Sequence, residues 1–340
     1  MSKIRVGIIR CDGHGMYFGP LMQEHDPFVL REPIPQSEPA PHSWMRGGSH
    51  FYFYTRYSDP TFMTAPRVDG FEITRLWDAD PRVAECAARV FFNKPIICKS
   101  FDEVSDDVDL VLITDCNLDG EDHVEFATPG LKKGVATFVD KPFAPTVKEI
   151  NKIYAIADAS GAPVVSLSIM RMAPAGAQFA KRLPELEKCD FGTVQGYTDE
   201  LNGFAHPISL VQNIFGAGIQ EVRCTPGKPM RSVHLSWGDR ADRPSQGVTI
   251  NNNTGAMWHG GGLVSAFGAK GAIHSVPFGD WEHPYGAARI LEVLRDMVTT
   301  RKCPFPRSEM TEVIAVAQAA YRSNQTGKPV LVQTILDEAR

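Results

Sequence analysis

Residues 4–15 read Ile4-Arg5-Val6-Gly7-Ile8-Ile9-Arg10-Cys11-Asp12-Gly13-His14-Gly15, an apolar run that closes in a short polar turn. Runs of this length and Ile/Val content mark a strand buried on both faces, because such a strand has no solvent side to fill with polar residues. A helical pattern over Met16–Gln23 follows directly. The alternation then repeats. Strands are expected at Phe71–Asp78, Asp109–Asp115 and Ala136–Asp140, and helices at Pro81–Phe92 and Glu121–Lys133, the last broken or kinked near Pro129 and stopped by Gly134. Four strands with intervening helices predict βαβ units and a parallel sheet wound on both faces.

From Thr146 the rhythm changes. Thr146 and Glu149 have the spacing of a capping box, ahead of a helix with Val147, Ile150, Ile153, Tyr154 and Ala157 on one face and Gly161 as its stop. Strand-like runs follow at Val164–Ile169, Thr193–Thr198, Gly247–Asn252 and Leu263–Phe267, too many for one more βαβ unit. Two amphipathic helices, Ala287–Thr299 and Ser308–Thr326, close the pattern. The expectation is an α/β protein of two domains: residues 1–142 with a doubly wound parallel sheet, and residues 143–340 with a large, mostly antiparallel open sheet. Residues 27–70 form an insertion in the first, rich in proline and aromatic rings, including Phe51-Tyr52-Phe53-Tyr54. A flexible linker would be polar, so this segment is expected to pack, against the sheet edge, a substrate cleft or another subunit.

Composition narrows the function classes. With 340 residues the chain is too long for one ordinary core. A net charge of -5 and no long Lys/Arg run leave no surface for a phosphate backbone, so nucleic acid is not an expected partner. The strand-like start leaves no room for a signal peptide, no stretch reaches the ~18 apolar residues of a membrane span, and the 7 cysteines show no C-x-x-C pair. A cytoplasmic protein without membrane partners is expected.

Three places carry chemistry. The turn after the first strand is where a Rossmann domain sets G-x-G-x-x-G against a pyrophosphate at a helix N-terminus. Here Arg10 and Asp12 stand at the first two glycine positions, Gly15 holds the third, and Gly13 and His14 lie between. Asp78, at the end of the second strand, is placed to accept hydrogen bonds from a ribose and to repel a 2′-phosphate, unless it is simply a turn former. Lys141, in Asp140-Lys141-Pro142 after the fourth strand, lies at the sheet's carboxyl edge, where an ammonium can hold a substrate oxygen. Histidines 234, 259, 274 and 283, Trp258-His259 and the Asp280–His283 cluster have no compact ligand spacing, and no metal centre is expected from them. Cys11 and Cys116 read as packing residues.

The chain resembles the glucose-fructose oxidoreductase, inositol dehydrogenase and MocA family over nearly its whole length. The residues carrying the resemblance are Asp140-Lys141-Pro142 for the family's E-K-P, the segment from His123 to Gly134-Val135-Ala136-Thr137-Phe138, Arg171, the run Phe267–Ile273 and the stretch Ala319–Val330. The resemblance implies a nicotinamide site involving Arg10, Asp12, Gly13, His14, Gly15, Asp78, Asp115, His123, Asp140 and Lys141. It implies substrate contacts from Lys141, Arg171, Asn202 and His206, with Lys141, His206 and Asn202 as the catalytic set. The family's carboxylates are replaced here by Asn202 and Ser209 around a retained His206. An amide orients a hydroxyl without holding a charge, which leaves the histidine without a partner that raises its basicity.

The activity implied is hydride transfer between NAD, in preference to NADP, and a hydroxyl of a sugar, cyclitol or derivative, in a homo-oligomer, dimer or tetramer. A non-catalytic ligand-binding or scaffold member of the same fold is the other reading, and a lyase or hydrolase with a retained cofactor is a third.

Overall fold

β1 (Ile4–Ile9) is fully buried from Val6 to Ile9, which is why its sequence is a continuous apolar run. In the computed structural model the described residues are 2–35, 48–54, 61–115, 119–196, 198–252, 262–277, 279 and 281–340. They cluster into two units. The first comprises Met1–Phe143, Lys152–Ser166 and Ala287–Phe305, and the second Ala144–Asn151, Leu167–Gly286 and Pro306–Arg340.

In the first unit β1 leads into α1 (Gly15–Met22) and α2 (His50–Tyr54), then β2 (Phe71–Trp77), α3 (Pro81–Val90) and β3 (Ile96–Ile97). β4 (Leu110–Ile113), α4 (His123–Lys132), β5 (Ala136–Val139), α5 (Val147–Ser160) and β6 (Val164–Val165) follow. The six strands run β3-β2-β1-β4-β5-β6, and each registered pair is parallel. The order reverses direction between β1 and β4, so a crevice opens at the carboxyl ends of those two strands. The sheet has six strands rather than four. Val164–Ile169 is not one strand of the second sheet: only Val164–Val165 forms a strand, and it pairs with β5. Pro129 lies inside α4 without ending it, and that helix begins at His123 rather than Glu121.

The described part of the insertion packs. Tyr52, Phe53 and Tyr54 are buried, the Tyr17 and Tyr52 rings lie 4.0 Å apart, and His50 stacks on Tyr54 at 4.6 Å. His25 Nδ1 donates to the Gln23 carbonyl, which leaves Nε2 to accept from Tyr54 Oη at 2.7 Å.

The second unit contains α6 (Ile169–Met172), α7 (Pro174–Ala180), β7 (Cys189–Gln195), α8 (Leu201–Phe215), β8 (Glu221–Thr225), β9 (Ser232–Ser236), β10 (Val248–Asn251), β11 (Val264–Gly268) and β12 (Gly271–His274). α9 (His283–Thr300), α10 (Arg307–Thr326), β13 (Val330–Leu331) and α11 (Val332–Glu338) complete the chain. Seven strands run β12-β11-β7-β10-β9-β8-β13; β7 and β10 are parallel and the other registered pairs antiparallel. Val222, Cys224, Val233, Leu235, Val248 and Ile250 alternate onto one buried face, and α10 packs on β8 and α8. The opposite face is polar: Asn251 Nδ2 donates to Thr193 Oγ1 at 3.0 Å, and His234 and Ser265 bond to Thr249 and His274. The fold class read from the sequence is the one observed.

Candidate active site and its buried carboxylates

Beyond β1 the chain turns at Arg10, whose φ of +69° is left-handed and which glycine would adopt without strain. The Arg10 side chain folds inward. Its guanidinium nitrogens lie 3.6 Å from Asp12 Oδ2, 3.6 Å from Asp78 Oδ1 and 3.3 Å from Asp115 Oδ1, and all four residues are buried. Burial opposes the Arg10 charge, but Asp78, Asp12 and Asp115 more than offset it and hold its pKa above the ordinary value. Asp78 Oδ2 accepts from the Cys11 N–H at 2.8 Å and Oδ1 from the Asp80 N–H at 3.0 Å. Burial still raises the Asp78 carboxyl, with Arg10 pulling the other way.

Gly15 starts α1 in close quarters. A Cβ there would stand 2.7 Å from the Arg10 carbonyl oxygen and 3.3 Å from Thr114 Oγ1, and the Thr114 hydroxyl itself donates to the Arg10 carbonyl at 2.6 Å. His14 Nδ1 is hydrogen-bonded to Asp140 Oδ2, whose other oxygen accepts from the Lys141 N–H at 2.7 Å. Burial would raise the Asp140 carboxyl, but His14 and Lys141 hold it below the usual range. Lys141, half-buried, follows the all-buried β5 and precedes a cis peptide to Pro142.

At the end of β4, Asp115 is 1% exposed, and burial with Asp122 beside it pushes its carboxyl up to about 9. His123, the first residue of α4, is fully buried, and burial lowers its pKa. Its Nδ1 is 3.3 Å from the Phe143 carbonyl and its Nε2 is 3.9 Å from Asp115 Oδ2.

In the second unit, His206 is buried on α8, and its Nδ1 is 2.7 Å from Ser168 Oγ, a hydroxyl that also accepts from the Met170 N–H at 3.1 Å. Ser168 escaped the sequence reading because it lies far from His206 along the chain and belongs to the cap of a four-residue helix. Asn202 stands one turn before His206 on α8 and is partly exposed. Ser209 turns back on its own helix and donates to the Ala205 carbonyl at 2.7 Å. Arg171 is held by Glu309 and by Gln212 Oε1 at 2.9 Å. Gln212 Nε2 in turn donates to Glu312 Oε1 at 2.7 Å, so the arginine belongs to a buried polar network.

The structure therefore gathers predicted site residues into two groups in the first unit, Arg10, Asp12, Asp78 and Asp115, and His14, Asp140 and Lys141, while in the second unit His206 is bonded to Ser168, which the sequence did not point to. Cys116, residues 258–261 and Asp280 lie outside the described residues.

The first unit fits a dinucleotide in its strand order, in the approach at Gly15, and in a helix that directly follows the turn with no acidic residue in its first turn. It departs at Arg10, which takes up the Asp78 carboxylate from inside the protein. A switch-point crevice beside a strand-turn-helix, joined in one chain to an open, mostly antiparallel sheet, defines a two-domain protein with a Rossmann-type nucleotide-binding unit.

Residues 52–167 match the oxidoreductase family with an NAD-binding Rossmann fold named for glucose-fructose oxidoreductase, inositol dehydrogenase and MocA, the family that the sequence resembles. Compared with curated proteins by sequence, the chain has no match. Among solved structures it is similar to a myo-inositol dehydrogenase from Corynebacterium glutamicum (TM-score 0.69, 14% identity, 97% of this chain and 98% of that one). It is also similar to GenD2 of gentamicin A biosynthesis in complex with NAD (0.69, 15%, 97% and 97%) and to an oxidoreductase from Thermotoga maritima (0.67, 18%, 98% and 99%). At these identities the likeness establishes the shared fold. Among the described residues no helix is long and apolar enough to cross a membrane.

Proposed function

We propose that the protein is an NAD-dependent oxidoreductase acting on a hydroxyl of a sugar, cyclitol or related derivative. The observation that carries this reading is Lys141, which sits at the carboxyl end of β5 in the matched region, beside a carboxylate held ionised by His14 and Lys141 itself. NAD, when bound, supplies a hydride acceptor. Gly13, His14 and Gly15 line its approach to α1, and Asp78 is the group that reads the adenosine ribose once released from Arg10. Lys141 holds the reacting oxygen as a hydrogen-bond donor, and His206 takes its proton. Ser168 orients the imidazole from Nδ1 and so does part of the work of the missing carboxylate at Asn202. Arg171, tied to Glu309 and Gln212 beside α8, is the remaining substrate contact on this reading.

NAD is preferred to NADP, because a 2′-phosphate would meet the buried charges of Asp12 and Asp78. The protein is a cytoplasmic homo-oligomer that pairs through the polar face of the second sheet. Light scattering at micromolar concentration tests the pairing, a monomer counting against it.

Calorimetric titration with NAD and NADP is the direct test. Binding of NAD, together with turnover on a sugar and cyclitol panel that Lys141→Ala abolishes, supports the reading. No binding of either nucleotide at millimolar concentration refutes it. The Arg10 cluster favours a second reading, a ligand-binding protein without turnover, which predicts wild-type rates indistinguishable from those of Lys141→Ala.

A further inference from the structure

Among the described residues, the carboxyl groups of Asp12, Asp78, Asp115 and Asp122 surround the Arg10 guanidinium at the carboxyl ends of β1, β2 and β4. Buried polar atoms are normally satisfied by a partner or a cation, and the Arg10 guanidinium does not reach every oxygen of this set. Arg10 engages Asp115 through Oδ1. The second oxygen, Asp115 Oδ2, has no hydrogen-bond partner among the described residues, and neither does Asp122 Oδ1.

His123 faces the same point. Its side chain is fully buried, and its Nε2, also without a hydrogen-bond partner, is 3.9 Å from Asp115 Oδ2. Because the Phe143 carbonyl can only accept, Nδ1 carries the hydrogen and the Nε2 lone pair points at the carboxylates. A backbone carbonyl on Nδ1 is the support that a metal-bound imidazole usually has. Gly120 makes room for the ring: a Cβ there would lie 2.8 Å from His123 Nδ1. Asp122 is the N-cap residue of α4, yet its side chain does not cap the helix. Its carboxylate turns instead toward Asp115 and His123, and the three ligand atoms lie within 4.8 Å of one another.

We propose that Asp115, Asp122 and His123 bind a divalent first-row transition-metal ion that ties the end of β4 to the start of α4. An imidazole with two carboxylates suits Zn²⁺ or Mn²⁺ better than an all-oxygen ion such as Ca²⁺ or Mg²⁺. Ligand atoms on a four-coordinate zinc stand roughly 3.4 Å apart, so the triad closes by movements on the order of 1 Å. The ion supplies the partner that Asp115 Oδ2, Asp122 Oδ1 and His123 Nε2 lack among the described residues. Histidine spacing alone gave no sign of the site, because Asp115 reaches the adjacent pair Asp122-His123 only through the fold.

The test uses the full chain, dialysed against EDTA and returned to chelator-free buffer. Addition of ZnCl₂ or MnCl₂ is expected to raise the melting temperature by about 5 °C at a hundredfold excess over Kd, and elemental analysis after gel filtration to find one ion per chain. Because the Asp122 side chain makes no capping bond to α4, Asp122→Asn takes no cap from the helix and keeps the fold, and it is expected to weaken the ion at least tenfold, as is His123→Gln. Should His123→Gln fail to fold, Asp122→Asn alone decides. The proposal is overturned if neither ion is retained or moves the wild-type melting temperature, as for a carboxyl pair sharing a proton. It is equally overturned if Asp122→Asn binds as the wild type does, or if Mg²⁺ alone is held.

Discussion

Replacing Arg10 by methionine removes the guanidinium while keeping much of the side chain's volume, and leaves Asp78 buried beside Asp12 and Asp115 with no cation. Removing one partner of a buried ion pair typically costs about 3–5 kcal/mol. An independent limit comes from protonation: the orphaned Asp78 can take up a proton, which at pH 7 costs about 1.4 kcal/mol for each unit above an ordinary value near 3.9, or about 4 kcal/mol. The two figures agree, so Arg10→Met is expected to lose about 3–5 kcal/mol at pH 7. Its folded-state Asp78 titrates above its unfolded-state value, since burial already raises that carboxyl and the opposing arginine is gone. Stability linked to a raised carboxyl is complete below the unfolded-state value and is lost as pH climbs toward the folded one. The deficit should therefore shrink by about 2–3 kcal/mol between pH 7 and pH 5. Urea unfolding of both proteins at the two pH values, in EDTA, measures it. A deficit under about 1 kcal/mol at pH 7, or one as large at pH 5 as at pH 7, would refute the reasoning.

Other outcomes follow from single contacts. His206→Gln should lower turnover by about 10²–10⁴-fold with NAD affinity unchanged, and steady-state kinetics beside a binding titration separates that from a packing defect, which would lower the melting temperature too. In Gly15→Ala the new Cβ meets the Arg10 carbonyl, so about 1–3 kcal/mol of stability and much of the NAD affinity should go; an unchanged melting curve would show that the turn yields easily. His25 is buried with its pKa lowered, so its contribution is full above about pH 6.5 and lost as pH falls. His25→Gln should accordingly lose less stability than the wild type between pH 7 and pH 5. Cys224, pushed up to about 12 by burial, and Cys11, raised by burial and Asp78, should resist iodoacetamide at pH 8 until the protein unfolds, which mass spectrometry reads.

The parts of the fold that were legible in the sequence are those whose burial is continuous. β1, β4 and β5 are buried without interruption from Val6 to Ile9, Leu110 to Ile113 and Ala136 to Val139, with Thr137 the one polar side chain among them, and the Thr146–Glu149 box does cap its helix. β8 and β9, Glu221–Thr225 and Ser232–Ser236, were not read, because alternate residues face a polar surface and carry Glu, Arg, Ser and His. β3 and β6 are two-residue strands, too short for any periodicity, so nothing in the sequence ties Val164 and Val165 to the first sheet. At the site, the loss of glycine at position 10 was plain from the sequence. What replaced it was not, because Asp78 and Asp115 come from other strands and only the sheet order brings them to one guanidinium.

The first unit is not a contiguous piece of chain. It lacks its edge strand β6 until residue 165 has been made, and the segment carrying Ile290, Leu291, Leu294 and Met297 until residue 305. During synthesis at roughly 5–20 residues per second, the nucleotide-binding half waits roughly 8–30 s after Phe143 emerges before its last segment is available. The outer edge of β5 is open only until β6 is made, but the surface that Ile290, Leu291, Leu294 and Met297 cover stays exposed to the end of that interval, a period in which the first unit depends on chaperones.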